Sequence, residues 1–419
     1  MAPTDHTGRP EPTIGENLSR LRSQAGLTRA ELSAKSGVAV PTIKGLEQNV
    51  RTTALMGTVS KLSRALDVKP SVLLGQRQTL HRDDGAREES VAMLRRAIHP
   101  VGGLPGVRLS GEDAEPPDAA ALDTSVEQAW QQYHRGDFAH LIASLPLLLA
   151  SARAAVRDSR GAGLRHSQAA LSRCYSVAAQ AAAHVGQDDL ARTAVERSMV
   201  AADQAQDPVL VASGCNALSW VLLRQNEHHL AGQIAWDAAD MLNPRFSRDN
   251  YQAVRMWGRL RLSSATAFSR QDDYQGAREM LDDAQRCTLV VDLDAVDYVN
   301  GGHNAAFGPS KVAMVRTEVA MAQHRPAEAL RAAGTVSPTT RIPPMTRSRH
   351  LLDVAHAQTW EGQYADAVGT LTRVHGMAPE WMRYQVLARE VVRLVQDSKG
   401  RRRIDGLAPL LRHMNLIGT

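Results

Sequence analysis

Several stretches of this chain carry residue types that could do chemistry. "GGHNAAFGPSK", residues 301–311, sets glycines, a histidine and a lysine close together, the materials of a phosphate-binding loop. Its spacing argues against that use: five residues separate Gly302 from Gly308, and Pro309 stands where a lysine must follow to reach the phosphates. The carboxylates from Asp292 to Asp297 could offer oxygens to a cation, but the oxygen spacing and closing glutamate of a calcium loop are missing, so a solvated loop ahead of a helix is expected. His228 and His229 are neighbours that point to different sides of a helix; none of the 15 histidines falls in H-E-x-x-H, and G-x-S-x-G does not occur. Cys174, Cys215 and Cys287 are odd in number, far apart and outside any C-x-x-C pair, which fits buried free thiols rather than disulfides or a zinc site. No catalytic residue, metal site or cofactor is encoded by these patterns, and the chain is expected not to be an enzyme.

Charge offers a different chemistry. Residues 1–80 hold 11 Lys and Arg against 6 Asp and Glu, so the whole net charge of +5 lies there and the remainder balances. Lys35, Lys44, Lys61 and Lys69, four of the six lysines, are also in that segment. A polyanion would meet this end first.

The elements that must position those charges are helices. Hydrophobic residues make up 43% of the 419 positions but aromatics only 4%, the composition of an all-α protein filled by aliphatic and small side chains. That length suits two or three domains. Without a run of 18 uncharged apolar residues or a basic-then-apolar leader, the sequence predicts a cytoplasmic protein with no membrane partner.

Between Thr13 and Gly75 short helical segments are clearly punctuated. Leu18 and Leu21 give the first an apolar edge, and Gly26 can end it in a left-handed conformation. Thr28 and Glu31 form a capping box that starts the second, and Gly37 ends that helix at a corner needing positive φ. The next helix begins around Val40 or Pro41; proline is suited to a first helical turn because the N–H it lacks has no intrahelical partner there. Leu32, Val38, Ile43 and Leu46 are spaced to share a core between two helices crossing steeply, with Ser33 small at the closest approach. Gly45 costs about 1 kcal/mol against alanine in a helix interior, and Ala39 cannot cap.

Over residues 13–75, including "TRAELSAKSGVAVPTIKGLEQ" and "LSRALDVKPSVLLG", this pattern resembles the Xre family of regulators, related to the phage lambda repressor domain. The resemblance implies a lambda-repressor-like helix-turn-helix domain whose second helix enters the major groove of double-stranded operator DNA. Val40, Pro41, Thr42 and Lys44 would face base edges: Lys44 toward guanine, Thr42 toward a base or phosphate, Val40 toward a thymine methyl. Thr28, Arg29, Gln48, Arg51, Thr52 and Thr53 would hold phosphates, positioning rather than specifying.

Residues 76–120 read as a linker with one possible helix, "REESVAMLRRAI", followed by a Pro- and Gly-rich connector. From 121 to 419 similar passages recur: "YHRGDFAHLIASL", "AHVGQDDLARTAV", "LRQNEHHLAGQIA", "SRQDDYQGAREML", "AQHRPAEALRAAG" and "WEGQYADAVGTL". Each joins two helices by a polar turn. Phe138, Leu190, Leu230, Tyr274 and Tyr364 follow the turns, with Leu141, Ala194, Ala277 and Ala367 at helical spacing where helix pairs would nest. The series resembles a tetratricopeptide superhelix, and the whole chain resembles actinobacterial Xre regulators with such C-terminal regions.

A stacked array offers a long concave surface, suited to a peptide or small-molecule effector. Asn216, Asn226 and Asn304 could bond a peptide backbone, and Arg255 and Arg259 its carboxylate. The sequence therefore predicts a sequence-specific transcriptional regulator, a homodimer because one such domain makes few base contacts, with an array that dimerises, senses a ligand, or both. The alternative is an adaptor whose array binds a protein partner and whose basic domain has only nonspecific DNA affinity.

Overall fold

Helix starts and stops follow the chain's own punctuation. The computed structural model describes residues 13–50, 54, 56–68, 70–73, 84–99, 117–292, 294–296, 306–338, 342–383, 385–398, 404–414 and 416. Among these residues it has 21 α-helices and one two-stranded ribbon. The all-α expectation holds. Two compact units divide the chain: the described residues of one fall within 13–73, 324–327 and 351–416, and those of the other within 84–323 and 328–350.

The first unit begins with α1 (Ile14–Gln24), α2 (Arg29–Ser36), α3 (Val40–Glu47), α4 (Met56–Ala65) and α5 (Pro70–Leu73). Thr13 and Thr28 each close a capping box, with Glu16 and Glu31 respectively, so α1 and α2 start where side chains satisfy their orphan N–H groups. Gly37 ends α2 at φ +69°, a left-handed conformation in which a Cβ would be strained. The corner it makes brings Leu32 and Val38 together with Ile43 and Leu46, and Leu18, Leu62 and Leu73 complete the core.

In the second unit the segment read as a possible linker helix is α6 (Asp84–Ile98), which packs against α8 and α9 through Leu94, Ala97 and Ile98. The unit continues with α7 (Ala119–Arg135), α8 (Phe138–Asp158), α9 (Gly161–His184), α10 (Asp188–Gln204), α11 (Pro208–Arg224), α12 (His228–Leu242), α13 (Tyr251–Ser269) and α14 (Tyr274–Cys287). β1 (Ala295–Val296) and β2 (Ala306–Phe307) pair antiparallel, Ala295 opposite Phe307, before α15 (Pro309–Ala322) and α16 (Pro326–Ala333). Then come α17 (Pro344–Trp360), α18 (Tyr364–Met377), α19 (Pro379–Arg383), α20 (Val386–Asp397) and α21 (Leu407–His413), of which α18–α21 belong to the first unit. There α18, α19, α20 and α21 pack on one another, and Val386 lies against the apolar core of the first helices.

The six recurring passages fold alike. After α7, α9, α11, α13, α15 and α17 comes one left-handed residue, Gly136, Gly186, Asn226, Asp272, His324 or Gly362, with φ between +60° and +81°. In every case the next helix begins two residues later. Residues that tolerate this conformation are glycine and, less easily, Asn, Asp and His, which is why the turns look polar in sequence. Within the second unit α7 packs on α9, α9 on α11, α11 on α13 and α13 on α15, so the first helices of successive hairpins are neighbours. Leu141, Ala194 and Ala277, expected at nesting positions, are fully buried.

By length and composition α8 could cross a membrane. Its Leu141, Leu145, Leu149 and Ala152 are buried, and the helix packs on α6, α7 and α9.

Candidate nucleic-acid interface

A groove-reading helix must be anchored on one side and bare on the other, and α3 is built that way. Ile43 and Leu46 are fully buried, whereas Val40 is 38% exposed and Pro41, Lys44 and Gln48 are exposed. Helical spacing sets Val40, Lys44 and Gln48 in one line and Pro41 with Gly45 in the next. Thr42 falls on the other side of the helix and is half-buried, away from the arc that Lys44 occupies. Gly45 lies inside the bare arc and leaves the backbone open there. Pro41 is the second helical residue, and Ala39 makes no side-chain cap bond.

Glu47 fixes the angle of α3. Its side chain is 1% exposed, and it accepts from Arg22 Nε at 2.6 Å and from Arg29 Nε at 2.6 Å, so one carboxylate ties α3 to α1 and α2. Arg22 also donates to the carbonyl of Leu27 at 2.8 Å, bracing the turn before α2. Burial pushes the Glu47 carboxyl up, but the bonds from Arg22 and then Arg29 outweigh it and hold the group below its ordinary value. Gly15 supplies a second constraint: a Cβ there would sit 2.0 Å from the Leu46 carbonyl oxygen, so α1 and the end of α3 approach more closely than any other residue allows.

Several expected phosphate contacts are already engaged. The Thr28 hydroxyl donates to Glu31 at 2.8 Å and accepts from the Glu31 N–H at 3.2 Å, and Arg29 turns its Nε to Glu47. Arg51, Thr52 and Thr53 lie outside the described residues, as does Asn304. Neither Glu47 nor Gly15 stood out in the sequence, because their partners are 18 to 31 residues away and no helical or strand period links them.

The effector candidates separate into two kinds. Asn216, 1% exposed on α11, accepts from Ser263 Oγ at 2.7 Å, and Arg259, one turn before Ser263 on α13, is buried together with Arg255. Asn226 is a left-handed turn residue at φ +70°, which explains its type by conformation. Asp294 accepts from the Ser310 N–H at the start of α15, and Asp292 lies 3.5 Å from Arg248. Cys174 and Cys287 are buried, and burial pushes each thiol up to about 12.

Comparison with known proteins points to the same helices. A helix-turn-helix family model matches residues 18–73. Over 85 residues the chain is 28% identical to the HTH-type transcriptional regulator SinR of Bacillus subtilis (strain 168), covering 20% of this chain and 77% of that protein. SinR of Bacillus licheniformis gives the same identity and coverage. Among solved structures, BtubC (BKLC) from P. vanneervenii aligns with a TM-score of 0.36 at 12% identity, covering 67% of this chain and 94% of that one.

Proposed function

We propose, from the premise of an Xre-like helix-turn-helix domain at the N-terminus, that the chain is a transcriptional regulator that binds DNA sequence-specifically. The observation that carries this reading is the bare arc of α3, with Lys44 between Val40 and Gln48, on a helix locked from behind by Ile43, Leu46 and Glu47. Lys44 reads guanine, Val40 and Pro41 press on base edges, and Gln48, Arg51, Thr52 and Thr53 hold the backbone. Thr28, Arg29 and Thr42 act at one remove, through the cap, the Glu47 ion pairs and the flank of α3.

With one lysine as its strongest base reader, a single domain discriminates poorly. Two copies on half-sites about one helical turn apart supply the missing contacts, so the working form is a homodimer. In this reading residues 13–75 bind DNA, 76–120 connect, with α6 docked on α8 and α9, and 121–419 form a tetratricopeptide-like array that dimerises or takes up a peptide or small-molecule effector. Asn216, Arg255 and Arg259 are its effector contacts, and the cytoplasm is its place of action.

Footprinting at physiological salt tests the proposal. Protection of one sequence over competitor DNA is expected, and Lys44→Ala should cost about 1–3 kcal/mol at particular base pairs. Binding that vanishes with salt and ignores sequence would instead mark the chain as an adaptor.

A further inference from the structure

Large apolar side chains left in water gather at one place in the second unit. Ten are exposed among the described residues, and four of them, Trp236, Met241, Phe246 and Leu289, lie on the second half of α12, in the segment that follows it and just after α14. Met241 is 60% exposed, Phe246 45% and Leu289 82%. A lone exposed apolar residue is ordinary, whereas several joined together mark an interaction surface.

Contacts join the four. Arg261 of α13 lies between two indoles, 4.5 Å from the ring centres of Trp236 and of Trp257, and the Phe246 ring meets Trp257 edge-on at 5.3 Å. Arg261 also donates to Asp240 at 2.8 Å, which fixes the last turn of α12 and with it Met241. Arg248, two residues after Phe246, pairs at 3.5 Å with Asp292, three residues after Leu289. Leu289 stands on a turn closed by its own N–H to the Arg286 carbonyl at 3.1 Å and by the Val291 N–H to the Cys287 carbonyl at 2.8 Å, and Val291 is fully buried. That turn holds Leu289 outward. Side chains fixed in this way lose little freedom when they are covered, as anchors at protein interfaces do.

Charge selects the occupant. Arg245, Arg248, Asp249 and Asp292, all exposed, border the apolar strip with two charges of each sign. A nucleic acid or an acidic membrane surface would meet as many repelling charges as attracting ones. A two-fold copy of the same strip matches it, because the rotation that lays the apolar side chains on one another sets the arginines of each copy against the aspartates of the other. We propose that this strip is the surface through which two copies of the chain associate, with Trp236, Met241, Phe246 and Leu289 as its apolar centre and Arg248 and Asp292 exchanging partners across the two-fold axis. This surface rests on the homodimer reading, which asks for two copies, and names where they touch.

Sedimentation equilibrium of the full chain tests the surface. The wild-type protein is expected to be a dimer, and Leu289→Asp, or Met241→Asp should the first fail to fold, to weaken self-association about tenfold or more, since each carries a carboxylate into the apolar centre. Arg248→Asp and Asp292→Arg set like charges against one another across the axis, so each alone should dimerise poorly while an equimolar mixture of the two regains the wild-type affinity. Undiminished association in Leu289→Asp and Met241→Asp overturns the surface, as does a mixture that associates no better than either variant alone; in both cases a wild-type dimer leaves the homodimer reading standing. A monomeric wild-type chain overturns that reading as well.

Discussion

The helices that open the chain and the hairpins that follow hold their shape by different means. In residues 13–73 side chains do the fixing: two capping boxes set where α1 and α2 begin, and Glu47 clamps α3 through Arg22 and Arg29. From α7 to α12 only α11 has a side-chain cap, and order comes from left-handed turns and from alanines that let helices nest, as along Ala178–Ala183 of α9. A helix that reads bases needs one fixed angle, and directional bonds supply it. A stack of hairpins is set mainly by a repeated packing contact, with scattered directional bonds between helices such as Ser263 to Asn216 and Arg224 to Asp188.

Three experiments press on this contrast. Glu47→Ala should have the largest effect, lowering the stability of the N-terminal domain by roughly 3 kcal/mol, the low end for a broken buried pair because Arg29 is half in water. Chemical denaturation of the full chain followed by footprinting checks it; undiminished stability and protection would show that packing alone orients α3.

Acid should separate the regions next. His184, held down to about 3 by burial and then Arg224, and His350, at about 4, stay neutral when folded, whereas an unfolded histidine takes a proton near 6.5. Their contribution is complete above pH 6.5 and is lost as the pH falls from there toward 4. Among the described residues of the N-terminal domain the shifted groups are Glu31 and Glu47, both lowered, so their contribution is complete above about 4.5 and is lost only below it. Four of the six tryptophans, Trp130, Trp220, Trp236 and Trp257, lie in the second unit with His184 and His350, so the larger part of the fluorescence follows the hairpins. At pH 5 the fluorescence-detected melting temperature should drop while DNA protection persists.

The smallest effect is expected at Asn226. Asn226→Gly should change stability by less than about 0.5 kcal/mol and leave effector binding intact, whereas Asn226→Ala should cost about 1 kcal/mol from the left-handed conformation. Loss of ligand affinity in Asn226→Gly would restore the asparagine to the effector site.

Much of the architecture was readable because its causes are local. The Thr28–Glu31 box, the Gly37 corner and Pro41 in the first turn of α3 each act within a few residues, and the six hairpin turns announce themselves by Gly, Asn, Asp or His before a new helix. The candidate interface was only half readable. Exposure of Lys44 and burial of Ile43 follow from helical period, but the period also carries Thr42 to the far side, where its small polar type had suggested a base contact. Asn226 is ambiguous for a similar reason, since an amide suits a ligand and a left-handed turn equally well.

The sequence by itself determined where helices begin and end, which residues of α3 form its core side, and that positive charge collects at the N-terminus. These follow from caps, backbone freedom and period, all short-range. Only tertiary structure decided that Glu47 would meet Arg22 and Arg29, that Gly15 would admit the end of α3, and that Arg270 and Arg349 would converge on Glu318. The physical reason is that charges and close approaches are satisfied between helices distant in sequence, and no pattern within one helix encodes its neighbour.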